Sequence, residues 1–107
     1  MKMITAIVNK KDANEVCDTL SEEKITFTKI STMGGFLRAG NVTLLIGVED
    51  DKVTFVLELI KKHCAKRMEP MPPVVNAGMP AFGYYTMEVP VGGATVFVTS
   101  VEQFEKF

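Results

Sequence analysis

Apolar residues along this chain change spacing several times, and each change predicts an element. Lys2 to Val8 is short, rich in Ile and Val, and closed by the polar Asn9-Lys10-Lys11, which predicts a buried strand. From Asp12 the spacing becomes helical: Ala13, Val16, Cys17 and Leu20 recur at i, i+3, i+4 and i+7, and Glu15 follows Asp12 as in a capping box. Ile25 to Thr32 has the β-branched and aromatic residues of a second strand. Its Phe27 and Ile30 differ in parity, so a bulge or a two-sided environment is expected. Asn41 to Gly47 predicts a third strand, paired antiparallel to the second through the glycine-rich segment between them. Glu49-Asp50-Asp51 then opens a second helix. Its stripe is Val53, Val56, Leu57, Ile60 and Cys64, and its far end carries Lys61, Lys62 and His63, cations suited to a helix C-terminus.

The periodicity stops at Arg67. From there to about Tyr85 the chain reads as a loop containing Pro70, Pro72, Pro73 and Pro80, longer than connections usually are. Met87 to Val98 resumes as a strand interrupted at Gly92-Gly93, and Ser100 with Gln103 is expected to cap a short terminal turn. The order strand, helix, strand, strand, helix, strand predicts an α+β, ferredoxin-like βαββαβ domain over residues 1–107, with an antiparallel sheet, two helices on one face and a flexible Pro-rich loop at about 67–86. Right-handed crossovers leave few alternatives. One copy of this fold leaves the second sheet face without cover. Phe27, Leu45 and Val96 offer apolar groups on both parities, so self-association is expected.

Composition narrows the functional classes. The 107 residues, 47% of them apolar, suffice for one core without a disulfide or metal staple. A net charge of −1 argues against DNA or general RNA binding, where phosphate neutralisation dominates affinity, but not against a nucleotide in a shaped pocket. No signal-peptide pattern or membrane-spanning run stands out, and a cytoplasmic location is expected. Cys17 and Cys64 have no metal-site or redox-motif spacing and read as core thiols, and His63 reads as a surface or capping group. No Walker lysine motif, GxGxxG after a strand, HExxH or GxSxG is present, so neither an enzyme nor a metal site nor a cofactor is expected.

Recognition chemistry is concentrated in Thr32 to Asn41, with three glycines, Phe36, Arg38 and Asn41 in ten residues. Glycines allow close backbone approach, successive free N–H groups can form an anion-binding nest, and Phe36 supplies a flat apolar face. Met1-Lys2-Met3-Ile4 with Ala6-Ile7-Val8, Thr28-Lys29, the block Gly34-Gly35-Phe36-Leu37-Arg38-Ala39-Gly40-Asn41, Ile46-Gly47-Val48 and the run Val91 to Val98 resemble the PstA/DarA family, the PII-like cyclic-di-AMP receptors of Gram-positive bacteria. The resemblance runs nearly end to end. It implies a cytoplasmic homotrimer of ferredoxin-like protomers that binds cyclic-di-AMP in three clefts between subunits, has no catalytic activity, and signals to a downstream protein through long loops.

Carried over by position, the resemblance implies that Gly35, Phe36 and Leu37 line an adenine pocket, with hydrogen bonds from Thr28, Asn41 and Gly47. Phe36 has two readings, base stacking or a plug at a subunit interface. Asn41 either binds ligand or caps the turn after Gly40, and Gly92-Gly93 either faces ligand or bends the last strand. The chain departs from the family pattern at Lys24 and Thr26, where an asparagine and an arginine are usual. It departs also at Met33, where threonine is usual, and at Pro90, where an acid is usual. Thr26 lacks the planar, many-donor group that an arginine offers a base, and Lys24 offers only a point charge. Two functions follow: a cyclic-di-AMP or related adenine-nucleotide receptor, or a PII-like trimeric interaction protein whose nucleotide ligand is lost or changed. In either, Phe82, Tyr84 and Tyr85 of the Pro-rich loop are candidate contacts for a partner.

Overall fold

The structure, a computed structural model, describes residues 1–31, 40–70 and 88–107. Strand β1 (Lys2–Asn9) leads into helix α1 (Lys10–Glu22), followed by β2 (Phe27–Ser31), β3 (Asn41–Val48), a 3-10 turn at Asp50–Lys52 and helix α2 (Val53–Cys64). The chain continues through β4 (Arg67–Pro70), β5 (Glu88–Val91) and β6 (Ala94–Ser100). Four strands form one sheet in the order β2-β3-β1-β6, every neighbour antiparallel. The fold is therefore the ferredoxin-like α+β arrangement: β3 lies between β1 and β2, β1 lies between β3 and β6, and each helix crosses over one face of the sheet.

Alternation along β1 and β3 decides which face the helices cover. Ile4, Ala6 and Val8 of β1 and Val42, Leu44, Ile46 and Val48 of β3 are buried, and the register sets Ile4 against Ile46, Ala6 against Leu44 and Val8 against Val42. Val16 and Leu20 from α1 and Val56, Ile60 and Cys64 from α2 close on that surface, as their helical spacing predicted. Cys17, Phe27, Leu57 and Val96 pack at its margin. Each fully buried Leu or Ile contributes roughly 1.5–3 kcal/mol by leaving water, so this single cluster dominates the stability of the described body.

Several boundaries differ from expectation for local reasons. Helix α1 starts at Lys10, two residues before Asp12, because Asn9 is its N-cap and accepts a hydrogen bond from Lys11 N–H at 2.9 Å. Asp12 is instead buried in the first turn and has another role. At the other end of α1, the Ile25 N–H donates to the Leu20 carbonyl (2.9 Å) and the Lys24 N–H to the Ser21 carbonyl (3.0 Å), with Lys24 at φ +60°. That is a Schellman cap, and it delays β2 to Phe27. Phe27 faces the helices and Ile30 the opposite side, and the β2–β3 register runs without a bulge, so the parity change reflects a two-sided environment.

The largest correction concerns the loop expected from Arg67. Its first four residues are β4, which pairs with β5 in a separate two-stranded ribbon, Arg67 opposite Val91 and Pro70 opposite Glu88. Prolines are tolerated there because each strand of a ribbon has one unpaired edge. The expected last strand is likewise two strands, β5 in the ribbon and β6 in the main sheet, joined through Gly92 and Gly93 at φ +82° and +83°. No terminal helical turn follows β6, and Ser100 instead accepts a hydrogen bond from Lys2 Nζ at 2.9 Å. The remainder of the expected loop, including Phe82, Tyr84 and Tyr85, lies outside the described residues.

Candidate functional site

Alternation that buries one side of β3 presents Asn41, Thr43, Leu45 and Gly47 on the side away from the helices. Register extends this surface across the sheet: Thr28 and Thr5 flank Leu45, and Met3 lies opposite Gly47. Thr5 in turn faces Phe97, which is 55% exposed, and Ile30 is 39% exposed at the outer strand. The face is a mosaic of threonine hydroxyls and apolar side chains, with no charged side chain among its paired positions on β1, β2, β3 and β6. It matches the expected open face, although Phe27 and Val96 belong to the helix side and only Leu45 of the three singled out lies here.

Gly47 is the informative position. Its backbone has no positive φ, and a methyl group built on it would meet nothing within 4 Å. Among the described residues, neither conformation nor packing requires a glycine at that point, in contrast to Gly92. A Cβ on Gly92 would lie 2.9 Å from the Ala65 carbonyl oxygen and 2.9 Å from Arg67 Nη1, on a backbone already at φ +82°. Gly93, also at positive φ, donates its N–H to the Cys64 carbonyl. The bend reading of Gly92-Gly93 thus has a full local cause.

The expected contact residues that are described fall into two groups along the sheet. Thr28 and Gly47 lie toward the end marked by Lys2, Val48 and Ser100, and Thr26, exposed, immediately precedes β2. Asn41 lies beside Asn9 at the other end, next to Gly40, and Gly92-Gly93 is at that same end, next to Ala94 opposite Val8. Gly47 lies six positions along β3 from Asn41, roughly 20 Å. The Thr28 hydroxyl and the Asn41 amide bond to no other described residue. Lys24, exposed, is the cap of α1 described above. Gly35, Phe36 and Leu37, like Met33, lie outside the described residues.

Sequence reasoning missed one ionic site. Asp12, 3% exposed, is the buried charged residue of the described chain. Its Oδ1 accepts from Arg67 Nη2 at 2.8 Å and its Oδ2 from Arg67 Nη1 at 3.5 Å, a two-nitrogen contact across 55 positions of sequence. No local pattern announces such a pair, since Asp12 reads as an ordinary first-turn acid and Arg67 as the start of a loop. Nearby, burial pushes the Cys64 thiol up to about 11, with the Asp12 charge adding to the effect, so this cysteine stays a neutral packing group at physiological pH. Cys17 is raised too, chiefly by burial. His63 bridges the helices rather than simply facing solvent, with Nδ1 3.2 Å from Glu15 Oε1 and Nε2 3.4 Å from Thr19 Oγ1.

Other chemistry is sparse. A groove of about 350 Å³ between α2 and β6 is lined by Leu57, Ile60, Cys64 and Val96, with Lys61 and Lys66 also among its lining residues. It includes Gly93 but none of the other expected ligand contacts. Among the described residues no cluster of three or more metal-ligating side chains occurs, and no helix is long and apolar enough to cross a membrane.

Comparison with known proteins agrees with this frame. A solved structure described as a functionally unknown protein from Pediococcus pentosaceus ATCC 25745 is similar at 45% identity with a TM-score of 0.80, the match covering 99% of this chain and 96% of that one. The family model described as cyclic-di-AMP receptor matches residues 1–107, the full span of the sequence. With the ferredoxin-like sheet order and the open threonine-rich face already in place, that match assigns the chain to the cyclic-di-AMP receptor family.

Proposed function

We propose that this chain is a single PII-like domain that assembles as a cytoplasmic homotrimer and binds cyclic-di-AMP in clefts between subunits. Binding there would order the long segment between β4 and β5 for a downstream protein. Gly47 carries the intersubunit part of this reading. A glycine that no described residue of its own protomer requires, on an open face, is accounted for by close approach of a neighbouring subunit or ligand. The two-ended distribution of the site residues supports it, because a cleft completed by a second subunit can bring Thr28 and Gly47 of one chain near the Asn41 end of another. Phe36, Leu37 and Gly35 would then supply the stacking and backbone contacts to adenine, where aromatic stacking is worth about 1–3 kcal/mol per base. The role is recognition, with no catalytic step assigned to any residue.

A second reading is a PII-like trimeric interaction protein whose nucleotide ligand is lost or changed, and Lys24 and Thr26 favour it. Both are exposed, and neither offers the planar hydrogen-bonding group that the resemblance implies at those positions. Thermal unfolding with added nucleotides separates the two. A ligand that binds only the folded state stabilises it by about 2.7 kcal/mol at 100 times its Kd, so cyclic-di-AMP should raise the midpoint in a concentration-dependent way. A rise with a related adenine nucleotide alone would keep the receptor reading with another ligand, and no rise with any adenine nucleotide would select the second reading.

A further inference from the structure

The row of side chains that β6 turns toward the helices is left partly open. Ala94, Val96 and Val98 stand opposite Val8, Ala6 and Ile4, the buried row of β1, yet Val98 is 42% exposed and Val96 only half-buried. β6 is an edge of the sheet, so no further strand among the described residues covers that side. Between this row and α2 runs the groove of about 350 Å³, apolar at Leu57, Ile60 and Val96 and bordered by Lys61 and Lys66. No acidic side chain is among its described lining residues. The chain also carries an apolar segment that the described residues do not cover. After β6, Val101 to Phe107 has no helix or strand, Phe104 is 63% exposed, and Phe107 is fully exposed. Phe104 lies between Glu102 and Glu105, whose charge is opposite to that of the groove lysines.

We propose that the segment Val101–Phe107 of one copy docks on the α2–β6 groove of another, with Phe104 as its anchor and Glu102 and Glu105 set against Lys61 and Lys66. This rests on the self-association reading above and adds to it a contact on the helix side of the sheet. A chain does not fill its own groove. The Val101 N–H donates to the Met1 carbonyl at 3.2 Å, which keeps the backbone in line with β6 one residue past its end. Val96, the groove residue nearest that point along β6, is five positions back, roughly 17 Å. Three residues beyond Val101 carry the backbone of Phe104 at most about 11 Å, and the chain has first to reverse its direction. A second copy has no such limit. Burial of an aromatic ring against Leu57, Ile60 and Val96 supplies the attraction, and the lysine–glutamate pairs at the rim fix the direction of docking more than its strength. β6 joins this contact to the open face, because Phe97 points to that face while Val96 borders the groove. Segment and groove are different surfaces of one chain, so the contact is head-to-tail, which a closed ring satisfies in every copy.

Two measurements on the full chain test this. Sedimentation velocity over a dilution series should show Phe104→Ala dissociating at a concentration roughly tenfold or more above wild type, the ordinary loss for an aromatic anchor. A short bismaleimide should link Gln103→Cys to Ala94→Cys in the doubly substituted chain, giving bands of two and three chains on a denaturing gel. Gln103→Cys alone is the control for Cys17 and Cys64 and should give no such bands. Association of Phe104→Ala within twofold of wild type, or a link closed only within single chains, overturns the docking and leaves self-association standing. A wild type that sediments as a monomer throughout overturns self-association and the docking with it. If Phe104→Ala gives no cooperative unfolding transition, the charge reversal Lys61→Glu with Lys66→Glu takes its place. It should weaken association, and adding Glu102→Lys with Glu105→Lys should restore it; no restoration overturns the docking.

Discussion

Gly47 and Gly92 are the same residue type held for opposite reasons, and substitution separates them. Alanine at position 92 must take φ +82° and crowd the Ala65 carbonyl at 2.9 Å, where the conformation alone costs about 1–2 kcal/mol. Gly92→Ala should therefore lower the urea midpoint clearly. Gly47→Ala, which meets nothing within 4 Å, should leave the urea midpoint of the protomer near wild type, within about 0.5 kcal/mol, and lower cyclic-di-AMP affinity severalfold. Equal effects of both on stability would contradict the distinction. Cys64 gives a pH-dependent counterpart. Unfolded, its thiol ionises near 9.0, while folded it holds its proton to about 11. Its contribution is fully present below the unfolded value. It is lost as pH rises through that window, because the unfolded state releases its proton first. Wild-type stability should fall more steeply there than that of Cys64→Val, as urea titrations across that range would read.

At the scale of elements, β1, both helices and β3 were legible because their period is local and strong, as Val16, Leu20, Val56 and Ile60 show by landing in the core. What was not legible depended on partners distant in sequence. Arg67-Met68-Glu69-Pro70 carries no strand period of its own, and only its pairing with Glu88–Val91 makes it one. Asp12 looked like a capping acid until the fold brought Arg67 to it. Of the site, the placement of Thr28 and Gly47 on one open face follows from alternation, whereas the split of Asn41 from them follows from strand length, which a contact list carried over by resemblance does not contain. Lys24 adds a stability consequence to a position first noted for ligand binding. It occupies the left-handed cap of α1 at φ +60°, a conformation that suits asparagine and glycine. Lys24→Gly should therefore stabilise the protein by about 0.5–1 kcal/mol, read as a higher urea midpoint, and an unchanged or lower midpoint would contradict the capping account.

For the molecule as a whole, the sheet has one face covered by helices and one face that mixes threonines with Met3, Ile7, Leu45 and Phe97. A surface of that mixed character suits an interface that is both buried against a neighbour and hydrogen-bonded to a polar ligand. The family assignment supplies the ligand class, and the separation of Gly47 from Asn41 along β3 is the observation behind the proposed cleft between subunits. The most direct test of this account is a calorimetric titration of cyclic-di-AMP into protein shown by sedimentation velocity to be trimeric. The account predicts saturable heat with one nucleotide per protomer. Absence of heat from a trimeric sample at high micromolar ligand, or saturation by a sample that sediments as a monomer, would contradict it.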